Sequence, residues 1–273
     1  MSSGPMSAGS SPVTRAYAPG PHGQIHYRRS GPKGTRSPLL LLHSCPGSSY
    51  LFEALLAEMG RDRTVIVPDF PGFGMSDAPD AAPGISGYAA AMLELETALG
   101  LGVFDIMGYH AGGVVAVEMA RLQPHAVRRI VMIGAPVFTA EERTAFNARF
   151  SVHDPDARAA AMDKGWPIFK TEFWKMGVDP VRTWNIYLDG QKNPEISAWG
   201  LRAAISYDLA DALKQVTQPV LVLNPKDDLA AYTPRAGAAL KDGRIHDLPE
   251  YTHGMLDAKT ADVAAIVRGF LDH

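Results

Sequence analysis

The chain has 273 residues, 46% of them hydrophobic, enough to bury a sizeable core as one large domain or two small ones. Only 20% of residues are charged, the net charge is -3, and no long run of like charge occurs, which argues against a basic nucleic-acid footprint. Apolar runs such as 38–42 and 130–133 fall far short of a membrane span, and a single cysteine, Cys45, excludes an internal disulfide framework and any multi-cysteine metal site.

Residues 1–12 carry no apolar core of signal-peptide length and are expected to form a disordered tail. Residues 24–28 and 38–43 then read as strands, 51–59 as a helix and 65–68 as a strand. Helical spacing resumes over 88–99, followed by a short buried strand at 104–107, a helix at 112–122 and a strand at 129–133. Much later come a strand at 220–223, a helix at 234–240, a strand at 244–248 and a helix at 261–271. This alternation implies an α/β architecture, a mostly parallel sheet flanked by helices on both faces.

The alternation breaks over 136–218, which is mostly helical and without a strong strand run. It holds all four tryptophans, Trp166, Trp174, Trp184 and Trp199, together with Phe169, Phe173 and Tyr187. A small helical lid cannot bury so many rings within itself, so some are expected to face a ligand. The expected division is a core of 13–135 and 219–273 with a helical cap of 136–218 inserted between two strands.

The segment Gly108-Tyr109-His110-Ala111-Gly112 follows a strand and opens a helix. Gly-x-nucleophile-x-Gly in that context is a nucleophile elbow, whose glycines permit a tight turn that lifts the middle residue above the sheet. Together with four further segments, the elbow resembles the α/β-hydrolase-fold superfamily over nearly the whole chain. His43-Ser44-Cys45-Pro46-Gly47 is similar to the family's loop after the third strand, and Pro46 to Leu51 is similar to that loop in haloalkane dehalogenases. Asp69-Phe70-Pro71-Gly72-Phe73-Gly74-Met75-Ser76 resembles the family's Asp-x-Pro-Gly-x-Gly-x-Ser turn. Asn224 to Asp228 lies where the family places its acid, and Tyr251-Thr252-His253-Gly254 where it places its catalytic histidine.

The resemblance implies that His253 is a general base and that Asp228 orients its ring, with Asp227 as second candidate. It also implies that the backbone amides of Cys45 and Ala111 form an oxyanion hole, and that Ser44 and Tyr109 lie beside the substrate. Two residues depart from the pattern: His110 stands where serine is usual, and Ser44 where glycine is usual. A dehalogenase needs a carboxylate at the elbow, so dehalogenation is disfavoured.

A helix N-terminus disfavours positive charge, so a neutral His110 imidazole is expected, able to attack a carbonyl without a base. The expected function is hydrolysis of a small, largely apolar ester or related carbonyl substrate by His110, Asp228 and His253. Two alternatives stay open: a lyase, isomerase or cofactor-free oxygenase using His253 as base, and a ligand-binding pseudoenzyme. The candidate substrate contacts are Ser44, Tyr109, Trp166, Phe169, Phe173, Trp174, Trp184 and Trp199. No dinucleotide fingerprint or phosphate loop is present, and no cofactor is expected. Nor is a metal, because an Asp228 placed behind His253 leaves too few ligands. The expected partner is a small molecule, with neither nucleic acid nor membrane, and the expected location is the cytoplasm.

Overall fold

The computed structural model describes residues 12–32, 36–149, 155–193 and 196–273. The expected tail therefore lies, except for residue 12, outside the described residues. Eight strands form one sheet: β1 (Thr14–Gly20), β2 (Gly23–Ser30), β3 (Leu39–Leu42), β4 (Val65–Pro68), β5 (Phe104–Tyr109), β6 (Val127–Ile133), β7 (Val220–Pro225) and β8 (Gly243–Leu248). Their spatial order is β1-β2-β4-β3-β5-β6-β7-β8. The pairs β1–β2 and β2–β4 are antiparallel, and the others are parallel.

The apolar run Leu39–Leu42 shows why both faces must be covered. Leu40 and Leu42 enter one core with Ile66 and Ile106, against α2 (Gly84–Leu99) and α3 (Ala111–Leu122). Leu39 and Leu41 enter a second core with Val65, Val67 and Met107. That core is closed by α1 (Glu53–Met59) and the C-terminal helix, Thr260–Leu271. Alternate residues of one strand thus feed two cores, which is why a buried parallel strand reads as a continuous apolar run.

Among the described residues, the helices between β6 and β7 are α4 (Ala140–Arg149), α5 (Pro155–Lys175), α6 (Pro180–Asp189), α7 (Ser197–Ser206) and α8 (Leu209–Leu213). Two more follow β8, α9 (Met255–Ala258) and α10 (Thr260–Leu271). Asp179 caps α6 by accepting from the Arg182 amide at 2.9 Å, and Asp208 caps α8 through the Asp211 amide at 3.1 Å. Among the described residues, no helix is long and apolar enough to cross a membrane.

The structure corrects three local expectations. β1 was not anticipated; it is a mostly exposed edge strand with two prolines nearby and lacks the apolar run of a central strand. The helix expected over 51–59 opens with a 3-10 turn, Ser49–Phe52, because the Ser48 hydroxyl caps the Tyr50 amide at 3.1 Å. The helix expected over 234–240 is a 3-10 turn, Thr233–Ala238, where a proline and small residues provide little to extend an α-helix.

Candidate active site

The site gathers at the C-terminal ends of β5, β7 and β8, where open α/β sheets bind ligands. His110 joins β5 to α3 with φ 47° and ψ -108°, and among the described residues it is the one non-glycine with positive φ. Such a conformation costs on the order of 1–3 kcal/mol and persists only where its surroundings enforce it. The enforcement is visible at both glycines of the motif. A Cβ on Gly108 would lie 2.3 Å from the backbone of Gly112 and Gly113, and one on Gly112 would lie 2.1 Å from the Leu42 carbonyl oxygen. The turn closes only because these positions carry no side chain.

Two His–Asp pairs face one another at this elbow. His110 Nε2 donates to Asp227 Oδ2 at 2.8 Å, and His253 Nε2 lies 3.0 Å from Asp228 Oδ1. The two imidazole rings are 5.5 Å apart, edge to face. Asp227 was the second candidate as partner of His253; the structure gives it to His110 and gives Asp228 to His253. The Asp227 carboxylate is buried, and its other oxygen accepts from the Leu229 amide at 2.9 Å. Asp228 differs, with 69% of its side chain exposed.

Tyr109, expected beside the substrate, is buried, and its hydroxyl lies 2.9 Å from His253 Nδ1. It holds the ring and leaves Nε2 turned toward Asp228. Burial raises the Tyr109 hydroxyl well above the ordinary phenol range, and the charges of Asp227 and Asp228 add to that. Burial would lower His253, but the hydrogen bond to Asp228 and the carboxylates of Asp228, Asp227 and Glu172 outweigh it and raise it. Desolvation would raise the Asp228 carboxyl, but the His253 hydrogen bond and the two imidazoles outweigh it and bring it below the ordinary range.

The loop after β3 is held from behind. The buried His43 ring donates through Nδ1 to the Ser44 carbonyl at 2.8 Å and accepts the Phe70 amide at Nε2 at 3.0 Å. Among the described residues, the amides of Cys45 and Ala111 donate to no other protein group. The Cys45 thiol is buried against Gly200 of α7, and burial pushes it far above the usual thiol range, so its contribution is packing. Sequence reasoning passed over His26 and Asp69 as a pair. Asp69 accepts from His26 Nδ1 at 2.7 Å, the Ser49 amide at 2.7 Å and the Met75 amide at 2.9 Å, tying two loops together.

The aromatic residues between β6 and β7 gather mainly with one another. Trp166 meets Trp184 at 4.7 Å, Trp174 at 6.5 Å and Tyr187 at 5.3 Å, and Phe169 stacks on Phe173 at 4.4 Å. Trp199 stands apart, lining a cleft of about 490 Å³ between α2 and α7 with Ile85, Arg202 and Tyr207. Among the described residues, the rings in contact with His110 are Tyr109 and His253.

The expectation of too few metal ligands does not hold. His110, Asp227, Asp228 and His253 each offer one donor atom, and these four atoms all lie within 4.8 Å of one another. The count fell short because Asp227 was read as an alternative to Asp228, whereas both carboxylates enter the site.

Residues 37–166 match the family model described as alpha/beta hydrolase fold. The chain is 34% identical over 106 residues to a 2-hydroxy-6-oxo-2,4-heptadienoate hydrolase of Pseudomonas putida, an alignment covering 37% of this chain and 38% of that protein. It is 25% identical to a proline iminopeptidase of Lactobacillus acidophilus over 91% of this chain and 94% of that one. Against several other curated relatives it spans about a third of their length. The enol-lactonase structure from Burkholderia xenovorans superposes with a TM-score of 0.80 at 20% identity, covering 94% of this chain and 100% of that one.

Proposed function

We propose that this member of the α/β-hydrolase-fold superfamily hydrolyses a small, largely apolar ester or related carbonyl substrate at the site formed by His110 and His253. The observation that carries the reading is a histidine on the elbow, paired with the buried Asp227 and faced by a second His–Asp pair across 5.5 Å. A serine at an elbow needs a base to deprotonate it, but an imidazole does not. With Nε2–H bonded to Asp227, a neutral His110 ring carries its lone pair at Nδ1. There it attacks a carbonyl carbon or takes a proton from water.

In the covalent version His110 Nδ1 bonds to the carbonyl carbon, the bond to the alcohol oxygen breaks, and His253 protonates the departing alkoxide. His253 then takes a proton from the water that cleaves the acyl-imidazole to the acid and frees His110. The amides of Cys45 and Ala111 would receive the oxyanion, the latter at the positive end of α3. The names of similar proteins, a heptadienoate hydrolase and an enol-lactonase among them, agree with carbonyl chemistry.

The test is a panel of p-nitrophenyl esters of rising acyl length, with His110→Ala, His110→Gln and His253→Ala beside the unaltered protein. Hydrolysis is expected, with loss of about 100-fold or more in both alanine variants. Mass trapped on the His110 peptide by rapid quench marks the covalent version. Partial retention in His110→Gln marks a hydrogen-bonding role, because an amide copies one such bond. An inert protein across the panel, or full activity in His253→Ala, overturns the reading.

A further inference from the structure

We propose that His110, Asp227, Asp228 and His253 form a binding site for one divalent transition-metal ion of the zinc class. Water on that ion would supply the nucleophile that the serine-less elbow lacks. The ion site stands on the donor set alone; its catalytic consequence rests on the hydrolase reading above.

The donor chemistry suits such an ion. Two imidazoles and two carboxylates are nitrogen and oxygen ligands that zinc accepts at about 2.0–2.2 Å, which places tetrahedral ligands roughly 3.3–3.6 Å apart. The four donor atoms already lie within 4.8 Å of one another, and the paired ones are at 2.8 Å and 3.0 Å. An ion seated among them would open the two pairs by roughly 0.3–0.8 Å, draw in the more distant donors, and replace the protons that His110 Nε2 and His253 Nε2 direct at the carboxylates. Charge favours it as well: two neutral imidazoles and two carboxylates sum to minus two, which a divalent cation cancels.

The surroundings have the form that orients metal ligands. The Tyr109 hydroxyl at His253 Nδ1 fixes that ring with Nε2 inward. The Leu229 amide engages Asp227 Oδ1 and leaves Oδ2 for the ion. His110 sits on a backbone locked by Gly108 and Gly112, so its donor is preorganised. The exposed Asp228 keeps the donor set in contact with solvent, from which an ion can bind.

In turnover the exposed Asp228 would yield its position to water and act as base, leaving His110, His253 and Asp227 to hold the ion. Such an ion would acidify that water: Asp228 would take its proton as the water oxygen bonds to the ester carbonyl carbon. The bond from that carbon to the alcohol oxygen then breaks, and the proton on Asp228 passes to the departing alkoxide. One water is consumed and one acid and one alcohol form, with no change of oxidation state.

The experiment titrates chelator-treated protein with Zn²⁺ by calorimetry and with Co²⁺ by visible absorption. One equivalent is expected to bind, with the d–d bands of a low-coordinate site. His110→Ala and Asp227→Asn should abolish those bands, and Tyr109→Phe should weaken binding 10- to 100-fold through the loosened His253 ring. His125→Ala, an exposed histidine elsewhere, should leave binding unchanged. Circular dichroism on each variant separates lost ligands from lost fold. Binding without ester hydrolysis upholds the ion site and removes the hydrolase reading. Full hydrolysis by chelator-treated protein that takes up no ion upholds that reading and overturns the ion site. Binding that persists in both His110→Ala and Asp227→Asn also overturns it.

Discussion

His26–Asp69 and His253–Asp228 are the same chemical pair in two surroundings. The first spans 2.7 Å with side chains only 5% and 1% exposed, and two backbone amides fill the carboxylate's remaining sites. The second spans 3.0 Å, and its carboxylate is 69% exposed with room for further partners. The first pair has no capacity left for a ligand, so it braces the 3-10 turn that Ser49 opens against the loop that carries Met75. The second keeps lone pairs unspent beside a strained elbow. What separates a strut from a site in this fold is therefore the number of backbone donors aimed at the carboxylate, not the identity of the pair.

Four expected outcomes can break or sharpen that contrast. The largest is catalytic: His253→Ala should lower kcat/KM for a responsive ester by about 10²–10⁴, or roughly 3–5 kcal/mol of transition-state stabilisation, at nearly unchanged thermal stability. A melting point that falls as far as the activity would place His253 among the struts. Next comes Asp69→Ala, which strands the His26 ring and the Ser49 and Met75 amides in the interior. It should cost about 3–5 kcal/mol of unfolding free energy, read from urea midpoints.

The third is a pH effect. Burial alone would raise the Asp69 carboxyl, but the His26 hydrogen bond, the His43 ring and the Ser49 and Met75 amides bring it down to about 2. A carboxyl depressed in the folded state stabilises the fold above its unfolded value near 3.8 and loses that contribution as pH falls toward 2. Urea midpoints should therefore drop between pH 5 and pH 2.5 by about 2 kcal/mol of stability, and Asp69→Asn should flatten that slope. An equal slope in the variant would assign the acid sensitivity elsewhere. The smallest is Asp228→Asn, which removes the His253 ion pair but at a largely solvated carboxylate, and should cost no more than about 1 kcal/mol. A large loss of stability there would erase the distinction between the two pairs.

Much of the architecture was legible in the residues. Leu39–Leu42, Val65–Pro68 and the stretch around Val220–Leu223 are continuous apolar runs, and only strands covered on both faces carry such runs. The elbow was legible for a steric reason: Gly108 and Gly112 stand where any Cβ would strike backbone, so composition and geometry coincide. The edge strand β1 was not legible, because an exposed strand needs no apolar pattern to pair with β2.

What the chain order could not decide was the pairing within the site. Asp227 and Asp228 are neighbours of the same residue type, and one residue's rotation after β7 sends the first into the interior toward His110 and the second outward to His253. Tyr109 read as a substrate contact until packing put its hydroxyl on His253, and the rings between β6 and β7 read as a pocket wall although they meet mainly one another. Local sequence determines which residues form strands and turns, because periodicity and steric exclusion act over a few residues. Which of two adjacent carboxylates meets which of two distant histidines depends on how β5, β7 and β8 are placed side by side, and only the tertiary structure decides that.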